Sequence, residues 1–245
     1  MNNESVLILG ARSDIGMAIA HRFAQEGYDI QLAARNAASL EADRSDIKIR
    51  CGVRVTLHEF DALNIQSHEE FVLALPELPI VAISAVGFMG DQKQAERDVE
   101  SASLVMRSNF EGPASILGIL ANQFEQRGSG TLIGISSVAG ERGRASNYIY
   151  GSAKAGFTAF LSGLRNRLAS KGVHVVTVLP GFVNTKMTAG MKLPKPLTAE
   201  ATEVSSAVLE AHIAKKDRIY VKQIWALINM VLKSIPESIF KKTKL

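Results

Sequence analysis

The sequence predicts an α/β protein, a single domain built on a doubly wound parallel sheet of about seven strands with helices on both faces. Three observations predict this fold class. The chain has 245 residues, 47% of them hydrophobic and 21% charged, which suits one compact core. Short apolar, β-branched runs alternate with stretches of helical periodicity along the whole length. The sequence contains no internal repeat and no low-complexity tract.

The strands are placed at the apolar runs and the helices in the stretches between them. Strands are predicted at 5–9, 29–33, 54–59, 80–84, 130–135, 173–179 and 218–221. Helices are predicted at 15–26, 37–43, 67–75, 98–126 (with a break allowed at Gly112-Pro113), 150–169 and 199–214. The first helix has the clearest pattern, because Ile15, Ile19 and Phe23 repeat on one face. The stretch 181–197, which contains two prolines, is predicted to be a mobile loop.

Charge and cysteine content exclude several classes of protein. A net charge of +4 is too small to predict a nucleic-acid surface. One cysteine, Cys51, cannot form an intramolecular disulfide, and no Cys/His spacing resembles a zinc site, so a reducing cytoplasmic compartment and no metal are predicted. The apolar stretch 6–9 is far shorter than the roughly 20 residues of a spanning helix, so we expect neither secretion nor membrane insertion.

The first strand runs directly into a glycine loop and a helix, as a dinucleotide site requires. The loop reads Gly10-Ala11-Arg12-Ser13-Asp14-Ile15-Gly16. Gly10 allows the sharp turn, Gly16 allows close packing, and the N–H groups at the helix start attract a pyrophosphate. A plain strand-to-helix turn is the alternative. Asp14 stands where a glycine is usual, and we expect it to cap the helix.

The residue after the second strand favours NADP(H) over NAD(H). NAD-selective proteins carry an acid there that binds the ribose hydroxyls, whereas this chain has Arg35. With Arg12, it would offer guanidinium groups to a ribose 2′-phosphate; a solvated surface arginine is the alternative. Asp61, just after the third strand, is a candidate partner for the adenine or a turn-capping residue.

A tyrosine and a lysine four residues apart form the candidate proton-transfer pair. Tyr150 and Lys154 share one face at a helix start, and a nearby cation lowers the pKa of a phenol toward neutrality. Tyr148 has no such partner. Ser137, at the end of the fifth strand, can hydrogen-bond a carbonyl. An ordinary exposed tyrosine and lysine remain the alternative for the pair taken alone.

Together these motifs, in this order, resemble the short-chain dehydrogenase/reductase family over nearly the whole chain. The family's glycine loop, catalytic serine and Tyr-x-x-x-Lys pair match the residues above. Its helix asparagine matches Asn109, and its Pro-Gly motif with a following threonine matches Pro180-Gly181-Phe182-Val183-Asn184-Thr185. One departure is Ser84-Ala85-Val86-Gly87, where the family has Asn-Asn-Ala-Gly. Gly87 keeps the close-approach position for the cofactor.

The resemblance implies hydride transfer between nicotinamide and a ketone or secondary alcohol. Tyr150 would donate the proton, and Ser137 would polarise the carbonyl. Lys154 would lower the pKa of Tyr150 and hold the nicotinamide ribose, and Asn109 would position a water. Val183 and Thr185 would contact the carboxamide. The resemblance also implies a homodimer or homotetramer, paired through the helices at 110–126 and 150–169.

Two rivals come from other classes. Gly134-Ile135-Ser136-Ser137-Val138 begins like the nucleophile elbow of a serine hydrolase, but Val138 replaces the glycine that the turn needs. A catalytically silent member of the family that binds the dinucleotide as a sensor or scaffold is the second rival. The intact catalytic residues argue against it.

Residues 222–245 form a basic amphipathic tail after the catalytic domain at 1–221. An apolar stripe with Trp225 beside it is predicted at Ile224, Leu227, Ile228, Val231, Leu232 and Ile235, with lysines at 222, 233, 241, 242 and 244. The tail either closes the substrate pocket or packs in a subunit interface, or it lies on an anionic membrane surface at the inner face. The tail, the Ser13–Gly16 loop and 86–92 are similar to the decaprenylphosphoryl-2-keto-ribose reductase branch. That similarity implies a keto-sugar on a polyprenyl phosphate.

Overall fold

The computed structural model describes residues 4–243 of the chain. Residues 1–3 of the predicted domain, and Lys244 and Leu245 of the predicted tail, lie outside the described residues. The strands are β1 (Ser5–Leu9), β2 (Asp29–Ala34), β3 (Val55–Glu59), β4 (Val81–Ser84), β5 (Gly130–Ile135), β6 (Val173–Pro180), β7 (Phe182–Asn184), β8 (Thr198–Glu200) and β9 (Arg218–Val221). The helices are α1 (Asp14–Gln25), α2 (Glu41–Cys51), α3 (His68–Leu73), α4 (Gln92–Ala95), α5 (Val99–Met106), α6 (Gly112–Arg127), α7 (Tyr148–Leu168), α8 (Ala201–Ile213), α9 (Ile224–Ser234) and α10 (Glu237–Phe240).

The predicted fold class is confirmed, because seven parallel strands form one sheet in the order β3-β2-β1-β4-β5-β6-β9. Every residue of β1 and β2 is buried, since helices cover both faces of the sheet. The largest core cluster contains Ile19 and Phe23 of α1, and a second contains Phe124 of α6 and Phe157 of α7. The strand order reverses between β1 and β4, so a crevice opens at their carboxyl ends.

Two predicted helices have different bounds in the structure. The helix predicted at 37–43 is a 3₁₀ turn at Ala37–Leu40 followed by the longer α2. The helix at 98–126 does not break at Gly112-Pro113; a π-helical turn at Arg107–Glu111 joins α5 to α6 instead. Gly112 is required here because a Cβ would lie 2.2 Å from the Ala62 carbonyl oxygen. The change of helical pitch just before Pro113 accommodates its ring.

The segment after β6 contains regular structure where an irregular loop was predicted. β7 pairs in parallel with β8, and short 3₁₀ turns lie at Lys186–Thr188 and Lys195–Leu197. The pairing holds both ends of the segment together. It therefore lies at a defined place beside the crevice.

The apolar residues of the tail divide between two faces of α9, so the single stripe predicted from the sequence is wrong. Trp225, Ile228 and Leu232 face the protein, and Trp225 is only 4% exposed, packed with Val138 and Leu179. The outward face consists of Ile224, Leu227, Met230 and Val231, each about half exposed. No helix within residues 4–243 is long and apolar enough to cross a membrane.

Candidate active site

Two adjoining cavities lie at the carboxyl edge of the sheet. The larger one, the nucleotide cleft, has a volume of about 510 Å³ and is lined by Gly10, Arg12, Ser13, Arg35, Asp61, Ser108 and Lys186, among others. The smaller one, the catalytic pocket, has a volume of about 140 Å³ and is lined by Ile15, Ser137, Arg144, Asn147, Tyr150, Lys154, Pro180, Gly181, Val183 and Trp225, among others. Ala85, Val86 and Gly87 line both. The cavities are therefore joined at the loop after β4.

The glycine loop fits a pyrophosphate. Gly10 has φ +86°, and a Cβ there would lie 3.0 Å from the Ala85 backbone. A Cβ on Gly16 would lie 2.6 Å from the Gly10 carbonyl oxygen. The Gly16 N–H donates to the Ser13 hydroxyl (3.0 Å), which caps α1. The cradle thus needs glycine at both positions and ends on a capped helix start.

Asp14 does not cap the helix, contrary to the prediction, because Ser13 occupies the cap position. The Asp14 carboxylate instead accepts a hydrogen bond from the Lys186 backbone N–H (2.6 Å) and lies 3.8 Å from the Lys186 ammonium. It therefore ties the segment after β7 to the start of α1.

The two arginines proposed for the ribose phosphate lie side by side on the rim of the nucleotide cleft. The Arg12 guanidinium donates to the Arg35 carbonyl oxygen at 3.3 Å. Glu59, which pairs with the end of β2, is engaged by the backbone N–H groups of Asn36 and Ala37 at 2.7 and 2.9 Å. Asp61 also lines the cleft, and it caps a turn by accepting from the Leu63 N–H at 3.0 Å.

The structure brings Ser137, Tyr150 and Lys154 together in the catalytic pocket. Lys154 is only 3% exposed, and its ammonium donates to the Ile135 carbonyl oxygen (3.0 Å). It lies 5.8 Å from the centre of the Tyr150 ring. Ser136 fixes this arrangement by donating to the Lys154 carbonyl oxygen (3.0 Å), which ties β5 to α7.

Burial dominates the titration of this pair. Burial raises the pKa of Tyr150 to about 12, and the Ser137 hydroxyl acts in the opposite direction. Burial also lowers the pKa of Lys154 to about 7, because the ammonium has lost water. The predicted lowering of the tyrosine pKa by Lys154 is therefore not borne out, because the pKa of Tyr150 is raised by burial and only the Ser137 hydroxyl lowers it. A protonated phenol at neutral pH is, however, the form that a proton donor needs.

Asn109 lies outside both cavities, and its side chain holds the loop after β4. It sits in the π-helical turn, fully buried, and its amide donates to the Phe88 and Val105 carbonyl oxygens at 2.5 and 2.8 Å. Its oxygen accepts from the Phe88 N–H (3.2 Å). A Cβ on Gly87 would lie 3.1 Å from that oxygen and 3.5 Å from the Lys154 ammonium nitrogen. Asn109 therefore steadies the stretch where the family's asparagines are missing.

Of the motif residues at the end of β6 and just after it, some line the catalytic pocket and others do not. Pro180, Gly181 and Val183 line the catalytic pocket, whereas Thr185 does not. Thr185 caps the turn at Lys186–Thr188 through a reciprocal pair of bonds with Thr188, which does line the pocket.

Sequence reasoning missed three polar residues of the pocket, Arg144, Asn147 and Thr188, and misplaced Trp225. Arg144 and Asn147 lie in the loop between Ser137 and Tyr150, and they match no motif. Trp225 closes one side of the pocket, where its indole N–H donates to the Leu197 carbonyl oxygen (3.0 Å). A Cβ on Gly181 would lie 1.9 Å from the indole nitrogen. The strong amphipathicity of 224–235 was the available signal for Trp225.

Known proteins resemble this chain both in sequence and in fold. The model of the short chain dehydrogenase family matches residues 4–195. An uncharacterized oxidoreductase of Mycobacterium tuberculosis is 37% identical over 242 residues, which cover 97% of this chain and 96% of that protein. A short-chain dehydrogenase from Sphingobium yanoikuyae in complex with NADPH has a TM-score of 0.81 at 23% identity, covering 96% of this chain and 97% of that one.

A further solved structure has the same fold. The short chain dehydrogenase of Burkholderia cenocepacia in complex with NADP has a TM-score of 0.82 at 21% identity, covering 98% of this chain and 97% of that one. The family model covers most of the chain, and the mycobacterial relative is more than 30% identical over nearly its whole length. The chain therefore belongs to the short-chain dehydrogenase family of oxidoreductases.

Proposed function

We propose that this protein transfers hydride between NADP(H) and a ketone or secondary alcohol. The observation that carries the proposal is the convergence of Ser137, Tyr150 and Lys154 on a pocket that joins the nucleotide cleft. The bound cofactor would supply or accept the hydride. The protein binds both reactants at the carboxyl edge of the sheet and moves the proton.

Each catalytic residue has a separate part in the reaction. Tyr150 donates its phenolic proton to the carbonyl oxygen, and the Ser137 hydroxyl hydrogen-bonds the same oxygen. Lys154 has N–H groups beyond the one that bonds Ile135, and we assign these to the nicotinamide ribose. Asn109 positions Gly87 and Phe88 beside them. Pro180, Gly181, Val183 and Thr185 form or support the wall next to the nicotinamide.

The preference for NADP(H) rests on Arg12 and Arg35 at the rim of the cleft. Both would contact a ribose 2′-phosphate, and Asp61 would lie near the adenine. We expect the Arg35→Ala variant to lose about 10- to 100-fold in affinity for NADPH while its affinity for NADH stays unchanged. Fluorescence titration with each nucleotide measures both affinities.

Arg50→Ala is the matched control, because Arg50 is an exposed arginine of α2 that lines neither cavity. It should bind NADPH like the wild type. Tighter binding of NADH than NADPH by the wild type would contradict the role given to both arginines.

We also propose a homodimer or homotetramer paired through the outer faces of α6 and α7. Phe110, at the start of this surface, is 38% exposed and packs against Gly156 of α7. Sedimentation velocity would give a dimer or a tetramer, and a monomer alone would contradict the proposal.

A finer proposal concerns the substrate, which we suggest is a keto-sugar carried on a polyprenyl phosphate at the inner face of a membrane. The outward face of α9 (Ile224, Leu227, Met230 and Val231) supports it, because it presents apolar side chains next to the pocket wall formed by Trp225. Lys222 pairs with Glu203 and Lys233 with Glu141, whereas Lys241 and Lys242, which follow α10, are exposed. Apolar and basic groups together suit anionic lipid.

Vesicle binding tests this part. We expect Leu227→Glu to weaken association with phosphatidylglycerol vesicles at least about tenfold, because a carboxylate replaces a side chain that would enter the lipid. Ile49→Glu on α2, where Ile49 is 82% exposed, is the matched control and should bind as the wild type does. Equal binding by the two variants would dismiss the membrane contact.

A further inference from the structure

The catalytic pocket contains a partly buried guanidinium that the reaction described above does not use. Arg144 lies in the loop between the short turn at Val138–Gly140 and α7, and its side chain lines the pocket. Its Nε and Nη2 atoms are both buried, and neither has a hydrogen-bond partner among the described residues. Buried charged groups are normally paired, because the loss of water is otherwise uncompensated.

The loop around Arg144 is held firmly by its neighbours. Glu141 pairs with Arg218 and Lys233. Arg142 donates to the Ile235 carbonyl oxygen (2.7 Å) and lies over the Phe240 ring at 3.7 Å. These contacts with β9 and the tail fix the backbone on one side of Arg144, and α7 begins on the other. The backbone on both sides of Arg144 is thus tied to neighbouring elements.

The unpaired side of the Arg144 guanidinium is complementary in shape to an anionic group. Nε and Nη2 form one side of the guanidinium and donate two parallel hydrogen bonds, which match the two oxygens of a carboxylate or a phosphoryl group. No acidic residue is found among the described residues that line the pocket, where Arg144 and Lys154 supply the charge. Burial lowers the pKa of Arg144, so its charge is destabilised there until an anion arrives.

The size of the pocket places this anion close to the reacting carbonyl. A volume of about 140 Å³ corresponds to roughly five water molecules. An anionic group bound by Arg144 and a carbonyl group bound by Tyr150 would therefore belong to the same small part of the substrate. Asn147, whose buried side-chain oxygen also lacks a partner in the described part of the chain, can accept a hydrogen bond from a hydroxyl group of the same portion.

We propose that Arg144 determines substrate specificity by binding a carboxylate or phosphoryl group near the reducible carbonyl. This inference rests on the proposed ketone reduction and names the substrate class: anionic ketones. A carboxylate and a phosphoryl group differ in charge and size, so substrates that carry one or the other show which of them Arg144 binds.

Matched substrate pairs test the proposal by activity. Acetoacetate is compared with its methyl ester, and dihydroxyacetone phosphate with dihydroxyacetone. We expect the wild type to favour at least one anionic member in kcat/KM, and Arg144→Met to lower that preference about 10- to 100-fold while sparing the neutral ketones. Arg144→Lys keeps the charge without the planar edge, and should regain only part of the preference. Arg97→Met, at an exposed site outside both cavities, is the control.

A binding measurement separates this inference from the proposed function. Calorimetric titration with acetate and with inorganic phosphate, at saturating NADP⁺, compares the wild type with Arg144→Met. Binding by the wild type that weakens about tenfold or more in the variant supports the Arg144 site even if no ketone is reduced. Equal anion affinity in the two proteins, or an unchanged substrate preference, overturns it, whereas the absence of all ketone turnover overturns the proposed function alone. Arg144→Met removes an unpaired buried charge, so we expect it to fold.

Discussion

Tyr150→Phe is expected to lower the turnover of ketone reduction by about 10²- to 10⁴-fold and to leave NADPH affinity unchanged. The substitution removes one oxygen atom from a partly buried ring and keeps the ring packed beside Lys154. The carbonyl oxygen then has no phenol from which to take a proton. Steady-state turnover and fluorescence titration with NADPH provide the two measurements.

Tyr148→Phe is the matched control, because Tyr148 is 45% exposed and lines neither cavity, although it starts the same helix. It should keep wild-type turnover. If Tyr150→Phe were equally active, Tyr150 would not be the proton donor. A wild-type protein that binds NADPH but turns over no ketone would instead support the silent sensor or scaffold.

Lys154→Met is expected to abolish most turnover and, at the same time, to change how stability depends on pH. The folded-state pKa of Lys154 is about 7, whereas the unfolded chain has the ordinary value of 10.5. Between these values the unfolded chain binds the proton and the folded protein does not. The free energy of unfolding contributed by Lys154 therefore rises with pH across this window, by at most about 1.4 kcal/mol per unit. Methionine has no such contribution.

Urea unfolding of both proteins at pH 7, 8, 9 and 10 measures the effect as a difference. Within this range, the free energy of unfolding of the methionine variant should exceed that of the wild type by the most at pH 7. The wild type should then gain stability relative to the variant at each higher pH up to pH 10. Tyr150 is present in both proteins, so its own titration, which begins as the pH approaches the unfolded-state value of 10.0, largely cancels from the difference. A pH-independent difference would mean that Lys154 keeps its charge in the folded protein.

The sheet was largely predictable from the sequence, and the helix boundaries less so. All seven strands of the main sheet lie within one residue of their predicted ends, because a parallel strand buried on both faces is a nearly continuous apolar run. The π-helical turn at Arg107–Glu111 could not be predicted, since it depends on the close approach of Gly112 to the Ala62 backbone. That contact joins residues that are distant in sequence.

The family motifs brought the central residues of the site together, but they did not predict that Asn109 and Thr185 lie outside the pocket or which residues packing adds to it. Ser137, Tyr150 and Lys154 meet as expected, but their pKa values depend on burial, which the four-residue spacing does not reveal. Arg144 is one of 28 lysines and arginines, and only the folded loop shows that its guanidinium points inward. Likewise, Trp225 belongs to the inward face of α9 because the pocket wall at Gly181 has room for an indole.

The contact of Asp14 with Lys186 has a consequence for the kinetics of the catalytic cycle. One carboxylate fastens the segment after β7 to α1, beside the entrance through which a dinucleotide passes. We expect release of the coenzyme to involve breaking this polar contact, while the seven-stranded sheet stays intact. The release rate should accordingly be governed by a local opening, and high ionic strength, which weakens the ammonium part of this contact, should accelerate it.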